Sequence, residues 1–575
     1  MRRFAFLPWL GLAGFAATLS LAPLPAQGAE RLLFYYGLLS RRLDVSSLET
    51  FAETGRANRQ LRSYFAIAGV DAEDQAAFRQ ALQEPAPIDP LLLTRVLYTN
   101  IGDDILTRFL GDLLRTESGL NGKHSLRAAL ILAARDPEGL TTLNFLRYLP
   151  TNMRVDLPDV LTLGDTVQGV VDATKFAIDT LEDLSNREAR QEERIVYDRL
   201  PALEAPGDFG TETARWTLIE SRQNPVTGEP TSREFYVNLA YPQRWRDGKT
   251  PVLILSHGLS SNPEYFDGLA RHLASHGYLV AMPQHPGSDI GYRDQLIEGL
   301  VDNPFDLGEF IDRPLDITAV IDELERRNGS DFGGRLDLEN VGVGGHSFGG
   351  YTALAVAGAT IDFEFLKEQC SDRFSYLNIS LLLQCQALDL PRQAYRFRDE
   401  RVQSVAVLNP VNSSIYGPKG LSRVQIPTIV ISGSHDPATP AVFEQFRTFP
   451  WLAAPERYLG LIEGQAHVNL SDLDVGISDT INSINGLTLA DPQVIGIYGR
   501  AFSLAFFETY TAQNPAYRPY LRASYAQYLS QGQNFPLHLI SAAMTPALAA
   551  EISTLEATVG EIPGDTVEGT GRGAR

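Results

Sequence analysis

The chain has 575 residues, too many for one ordinary core, and its 44% hydrophobic and 21% charged residues predict packed units rather than disorder. A net charge of -21, from 70 acidic against 49 basic side chains, excludes a nucleic-acid binder, because a phosphate backbone needs a basic face; it equally provides no polybasic membrane anchor. Two cysteines cannot build a disulfide framework or a thiolate zinc site, and no HExxH pair occurs, so neither a metal nor another cofactor is expected.

Residues 1–29 read as a signal peptide. Arg2 and Arg3 precede an apolar run from Phe4 to about Ala22, then come Pro23 and Pro25 and the small residues Ala26, Gly28 and Ala29. Cleavage after Gly28 or Ala29 would export the protein to a periplasm or beyond; the alternative is an uncleaved anchor. Residues 30–190 predict a helical N-terminal domain, with apolar positions three and four apart at Leu91, Leu92, Leu93, Val96, Leu97 and on through Ile101, Ile105, Leu106, Phe109 and Leu110. The charged stretch 185–194 reads as a helix end or linker.

From about Arg215 the period changes. Residues 216–223 and 233–242 predict an antiparallel pair. Near-continuous apolar strands follow, at 251–258, 278–285, 340–347, 402–411, 428–436 and 457–467, with helical segments between them. That alternation predicts an α/β domain over 200–545, with a mostly parallel sheet and helices on both faces. Residues 551–575, rich in Gly, Thr and acid, predict a flexible tail.

Gly345-His346-Ser347-Phe348-Gly349 is a G-x-S-x-G motif after a strand and before a helix, the context a nucleophile elbow requires. A serine hydroxyl needs a base. In the chain order Ser, acid, His, the base is His467, in the loop after the last parallel strand, rather than His538 in an apolar setting. The acid is Asp436, which ends the strand segment 428–436; Asp362, Asp372 and Asp389 are weaker choices. Oxyanion donors are expected from the backbone N–H groups of Phe348 and of Leu259, which follows His257-Gly258; the His257 side chain reads as structural.

These motifs over residues 200–475 resemble the α/β-hydrolase superfamily. GHSFGG and the HPGSD segment at 285–289 are similar to secreted platelet-activating-factor acetylhydrolases and dienelactone-hydrolase-like proteins. The N-terminal region is similar to an uncharacterised domain found ahead of such bacterial hydrolases. In the acetylhydrolases the acid follows the strand after the elbow helix; here that strand ends at Asn409 and Asn412, which moves the acid one strand later, to Asp436.

An insertion at 361–401 holds Cys370 and Cys385, expected to pair as a disulfide after export, and apolar residues such as Phe363, Phe365, Phe374 and Tyr376 that would cap the site. The aromatic region 494–529 reads as helix packing rather than as an acyl-chain wall. The expected activity is that of a serine ester hydrolase on lipid-like or short-acyl esters, with a transient membrane-surface contact. The alternatives are an acyltransferase using the same residues and a non-catalytic lipid carrier.

Overall fold

A computed structural model describes residues 28–37, 39–86, 88–371, 378–467 and 490–559. The cap residues Phe374 and Tyr376, and the signal segment apart from Gly28 and Ala29, lie outside them. The chain divides into one unit of residues up to Pro85 with Leu114–Val155, and a second of Ala86–Leu113 with the remainder from Asp156. Among the described residues no helix is long and apolar enough to cross a membrane.

The first unit is mixed rather than all-helical. A four-stranded sheet, ordered β2-β1-β4-β3, is formed by β1 (Arg31–Tyr36), β2 (Leu39–Asp44), β3 (Leu114–Thr116) and β4 (Met153–Asp156). These strands escape a sequence reading because they are short and, in β1 and β2, bury little in alternation: within β1 only Leu32 is buried. Helices supply the unit's core, through Leu48, Phe51, Leu61, Leu126, Ala129 and Leu143.

The second unit is built on a nine-stranded sheet, ordered β13-β12-β11-β10-β9-β7-β8-β6-β5. Its strands are β5 (Thr211–Gln223), β6 (Pro230–Pro242), β7 (Thr250–Ser256), β8 (Leu279–Pro283), β9 (Leu336–His346), β10 (Val402–Leu408), β11 (Thr428–Gly433), β12 (Arg457–Ile462) and β13 (Leu537–Ser541). From β8 across to β12 the neighbours run parallel. The expected hairpin, β5 with β6, lies antiparallel at one edge, and β13 lies antiparallel at the other. Buried clusters cover both faces, which is why the central strands read as unbroken apolar runs. The chain passes from β7 outward to β8, then returns to place β9 on the other side of β7. This reversal opens a crevice at the carboxyl ends of β7 and β9, where ligands of open α/β sheets bind.

The helix Leu157–Gln191, 35 residues long, belongs to this second unit, so the boundary expected at residue 190 shifts to about Asp156. Its stripe Ala173, Ala177, Leu181 and Leu184 is part of the sheet's own buried cluster. The charged stretch 185–194, expected as a helix end or linker, is the end of this helix and docks. Glu188 accepts the Ser541 N–H at 2.9 Å, and Glu192 accepts from the N–H groups of Ala523 and Ser524 at 3.0 and 2.9 Å. The tail expected from residue 551 is not one over 551–559, where the helix Thr545–Val559 buries Ile552 and Leu555 in the core; the rest of that segment lies outside the described residues.

Candidate active site

Ser347 joins β9 to the helix Phe348–Val356 with φ 57° and ψ −120°, backbone angles that a non-glycine residue rarely adopts. The flanking glycines make this turn sterically feasible. A Cβ at Gly345 would sit 2.0 Å from the Gly349 carbonyl oxygen, and one at Gly349 would sit 1.9 Å from that of Ser256. Phe348 packs beneath the turn between Phe310 and Tyr351, ring centroids 5.1 and 5.4 Å away, with the Arg313 guanidinium 4.4 Å from its own centroid.

The structure brings Ser347, His467 and Asp436 together. His467 Nε2 is 2.8 Å from Ser347 Oγ, and its Nδ1 is 2.7 Å from Asp436 Oδ2. The Asp436 side chain is fully buried, whereas that of His467 keeps 17% exposure, so the carboxylate end of the relay is dry and the imidazole remains reachable. Asp436 Oδ1 accepts the N–H groups of Ala438 and Thr439 at 2.8 and 2.9 Å, and Oδ2 accepts the Thr439 hydroxyl at 2.7 Å. Asp362 instead caps the helix Phe363–Gln369, and Asp372 lies outside the described residues. His538 sits on β13, 2.6 Å from Glu463.

Sequence reasoning missed several neighbours. Thr439 has a readable signal in Asp-Pro-x-Thr, an Asp whose side chain turns back on its own loop. His346, the variable residue of the motif, binds the His467 carbonyl oxygen through Nε2 at 2.7 Å, and its ring lies 4.7 Å from that of His467. Burial, and then the neighbouring His467, push its pKa down to about 3, so it holds the base's backbone as a neutral ring. Asn409, just past β10, accepts the Gly433 N–H on Oδ1 at 2.9 Å and bridges β10 to β11.

Beneath the loop after β7 lies a buried polar network. The helix Glu309–Asp331 contributes Glu309, Asp312, Arg313 and Asp316, and the edge hairpin contributes Arg222 and Arg233. Arg313, 0% exposed, reaches the carbonyl oxygens of His257 and Gly258 and, through Nε, the Ser288 hydroxyl at 2.9 Å. Pro314 has no N–H to give the Phe310 carbonyl, and the Tyr351 hydroxyl takes that place at 2.7 Å. Burial works against the Glu309 charge, but Arg233 and Arg313 outweigh it and hold its carboxyl below the usual range. For Asp312 burial prevails and raises the pKa to about 6.

Cys370 and Cys385 form a disulfide, with Cα atoms 5.9 Å apart. The insertion around it packs into the unit's core through Leu366 and Leu383. Buried Glu444 ties it down, accepting from Asn378 at 2.7 Å and Gln384 at 2.9 Å on one oxygen and from the N–H groups of Asn412 and Ser413 on the other. In the region 494–529, Tyr498, Phe502, Phe506 and Phe507 are buried, and all belong to one core cluster.

Two family models match the chain. Residues 223–370 match Chlorophyllase, a span that includes Leu259, Ser347 and Phe348 and stops before Asp436 and His467. Residues 28–156 match a family described as Alpha/beta hydrolase of unknown function (DUF1400). No curated protein matches the chain. These two matches, with the large mostly parallel sheet covered on both faces, support the alpha/beta-hydrolase superfamily for this chain and point to a hydrolase.

Proposed function

We propose that the protein is an exported serine carboxylic-ester hydrolase that works through an acyl-enzyme. The observation carrying this reading is the relay from Ser347 Oγ to His467 Nε2 at 2.8 Å and from His467 Nδ1 to Asp436 Oδ2 at 2.7 Å. His467 takes the Ser347 proton as Oγ attacks the ester carbonyl carbon. Asp436 fixes the imidazole tautomer and stabilises the imidazolium. The N–H groups of Leu259 and Phe348 hold the oxyanion. Collapse of the tetrahedral species expels the alcohol, which receives the proton from His467. Water, deprotonated by the same histidine, then releases the acid and restores Ser347.

The substrate class is a lipid-like or short-acyl ester. It rests on the likeness of GHSFGG and of the HPGSD segment at 285–289 to secreted platelet-activating-factor acetylhydrolases. Export, with a transient membrane-surface contact, accords with the basic and then apolar order of residues 1–29. The test is turnover of p-nitrophenyl acetate and butyrate by the purified protein, with and without an added alcohol acceptor. Hydrolysis is expected. Ester formation on the acceptor in preference to hydrolysis would make the protein an acyltransferase, and lipid binding without turnover would make it a carrier.

A further inference from the structure

The loop after β7 shows how one oxyanion donor is aimed. Gly258 borders the nucleophile: a Cβ added there would be 3.1 Å from Ser347 Cβ and 3.2 Å from His346 Nδ1. The next peptide carries the Gly258 carbonyl on one side and the Leu259 N–H on the other, because a trans peptide points the two in opposite directions. Two buried groups hold the carbonyl. His257 Nδ1 lies 2.8 Å from the Gly258 oxygen, and Arg313 Nη2 lies 3.3 Å from it. The same guanidinium donates through Nη1 to the His257 carbonyl at 2.7 Å.

The tautomer of His257 follows from its partners. The His285 backbone N–H can only donate, and it meets His257 Nε2 at 3.1 Å. Nε2 is therefore the acceptor and Nδ1 carries the proton that the Gly258 oxygen receives. His285 is fixed in the same way. Its Nδ1 is 2.8 Å from Asp316 Oδ2 and its Nε2 is 2.9 Å from Ser256 Oγ, so a fully buried Ser256–His285–Asp316 relay, with no exposed nucleophile, stands behind the loop. Burial keeps both imidazoles well below their ordinary pKa, hence neutral. Farther along, Ser260 holds φ 54° while its N–H binds the Ser288 carbonyl at 2.7 Å, so both ends of the turn are pinned.

We propose that His257 and Arg313 are positioning residues that lock the plane of the Gly258–Leu259 peptide and so direct the Leu259 N–H toward the oxyanion formed at Ser347. The inference rests on the serine-hydrolase reading above. It gives the His257 side chain a task beyond that of a structural loop histidine.

Two substitutions divide the two nitrogens of His257. His257→Gln keeps an acceptor at the Nε2 position for the His285 N–H and removes the donor to Gly258. His257→Asn keeps a donor at the Nδ1 position and removes the acceptor. Each is assayed for p-nitrophenyl butyrate kinetics, inhibition by an alkyl trifluoromethyl ketone and thermal unfolding. His257→Gln should lower kcat by about 10²-fold, as loss of one oxyanion donor does, weaken the ketone by a similar factor and leave KM within about threefold. His257→Asn should keep kcat within about tenfold of the unaltered protein. Should neither fold, Arg313→Lys is read by the same split between kcat and KM.

Equal activity in the two His257 variants, or a fall in activity that follows thermal stability alone, would overturn the lock. So would unchanged ketone affinity in folded His257→Gln or Arg313→Lys. Failure of a fluorophosphonate to label Ser347 in the unaltered protein would instead overturn the hydrolase reading beneath it.

Discussion

Thr439 donates its hydroxyl to Asp436 Oδ2 at 2.7 Å, on the same oxygen that faces His467 Nδ1. The carboxylate is thereby fixed before the imidazole meets it, with its other oxygen held by backbone N–H groups. Asp436→Asn should lower kcat by about 10⁴-fold, because the amide selects the wrong imidazole tautomer. Thr439→Val removes one hydrogen bond to a charged group and should lower kcat by about tenfold. Steady-state hydrolysis of p-nitrophenyl butyrate checks both. An active Asp436→Asn beside an inactive Asp389→Asn would reassign the acid.

The insertion is held by two separable devices, the Cys370–Cys385 bridge and buried Glu444. The bridge spans a sequence separation of 15 residues. Loss of such a crosslink costs about 3 kcal/mol in the chain-entropy model. Reductant, or Cys370→Ser with Cys385→Ser, should lower the thermal midpoint. Two free thiols found by mass spectrometry in protein from an oxidising compartment would remove this account.

The helix Leu157–Gln191 should be indispensable to the second unit. Leu184 is 0% exposed within the sheet's core cluster, so Leu184→Asp buries an unpaired charge and should cost several kcal/mol. A chain beginning at Ala205 lacks the whole stripe and should aggregate. Soluble, fully active protein from that truncation would show that the helix does not support the sheet.

Asp312 sets a pH dependence. Burial raises its folded pKa to about 6, so the folded state binds a proton that the unfolded state releases at a lower pH. Stability is therefore greatest below the unfolded pKa and declines as pH rises toward 6. Asp312→Asn removes the cost of the buried charge. Its thermal midpoint should exceed that of the unaltered protein at pH 7.5 and converge with it near pH 4. A constant difference across that range would contradict the assignment.

How much of this was readable depends on how local each signal is. The elbow was readable because strand, G-x-S-x-G and helix lie side by side in the chain, and the central strands because burial on both faces leaves unbroken apolar runs. The network under the oxyanion loop was not. Arg313 and Asp316 lie on a helix rich in charge, and their burial exists only once Arg222 and Arg233 arrive from the edge hairpin and His285 from the loop after β8. That 185–194 ends a helix was readable, but its docking was not, since the partners of Glu188 and Glu192, Ser541 and Ser524, lie more than three hundred residues away. In the first unit, β1 shows no period-2 alternation to distinguish it from a loop.

The central claim is that Ser347 is the nucleophile. Its most direct test is covalent labelling by a fluorophosphonate, mapped by mass spectrometry and read beside the ester kinetics of Ser347→Ala. A single adduct on Ser347 is expected, lost in the variant together with a fall in kcat on the order of 10⁶-fold. An adduct on another residue, or full ester turnover by Ser347→Ala, would contradict it.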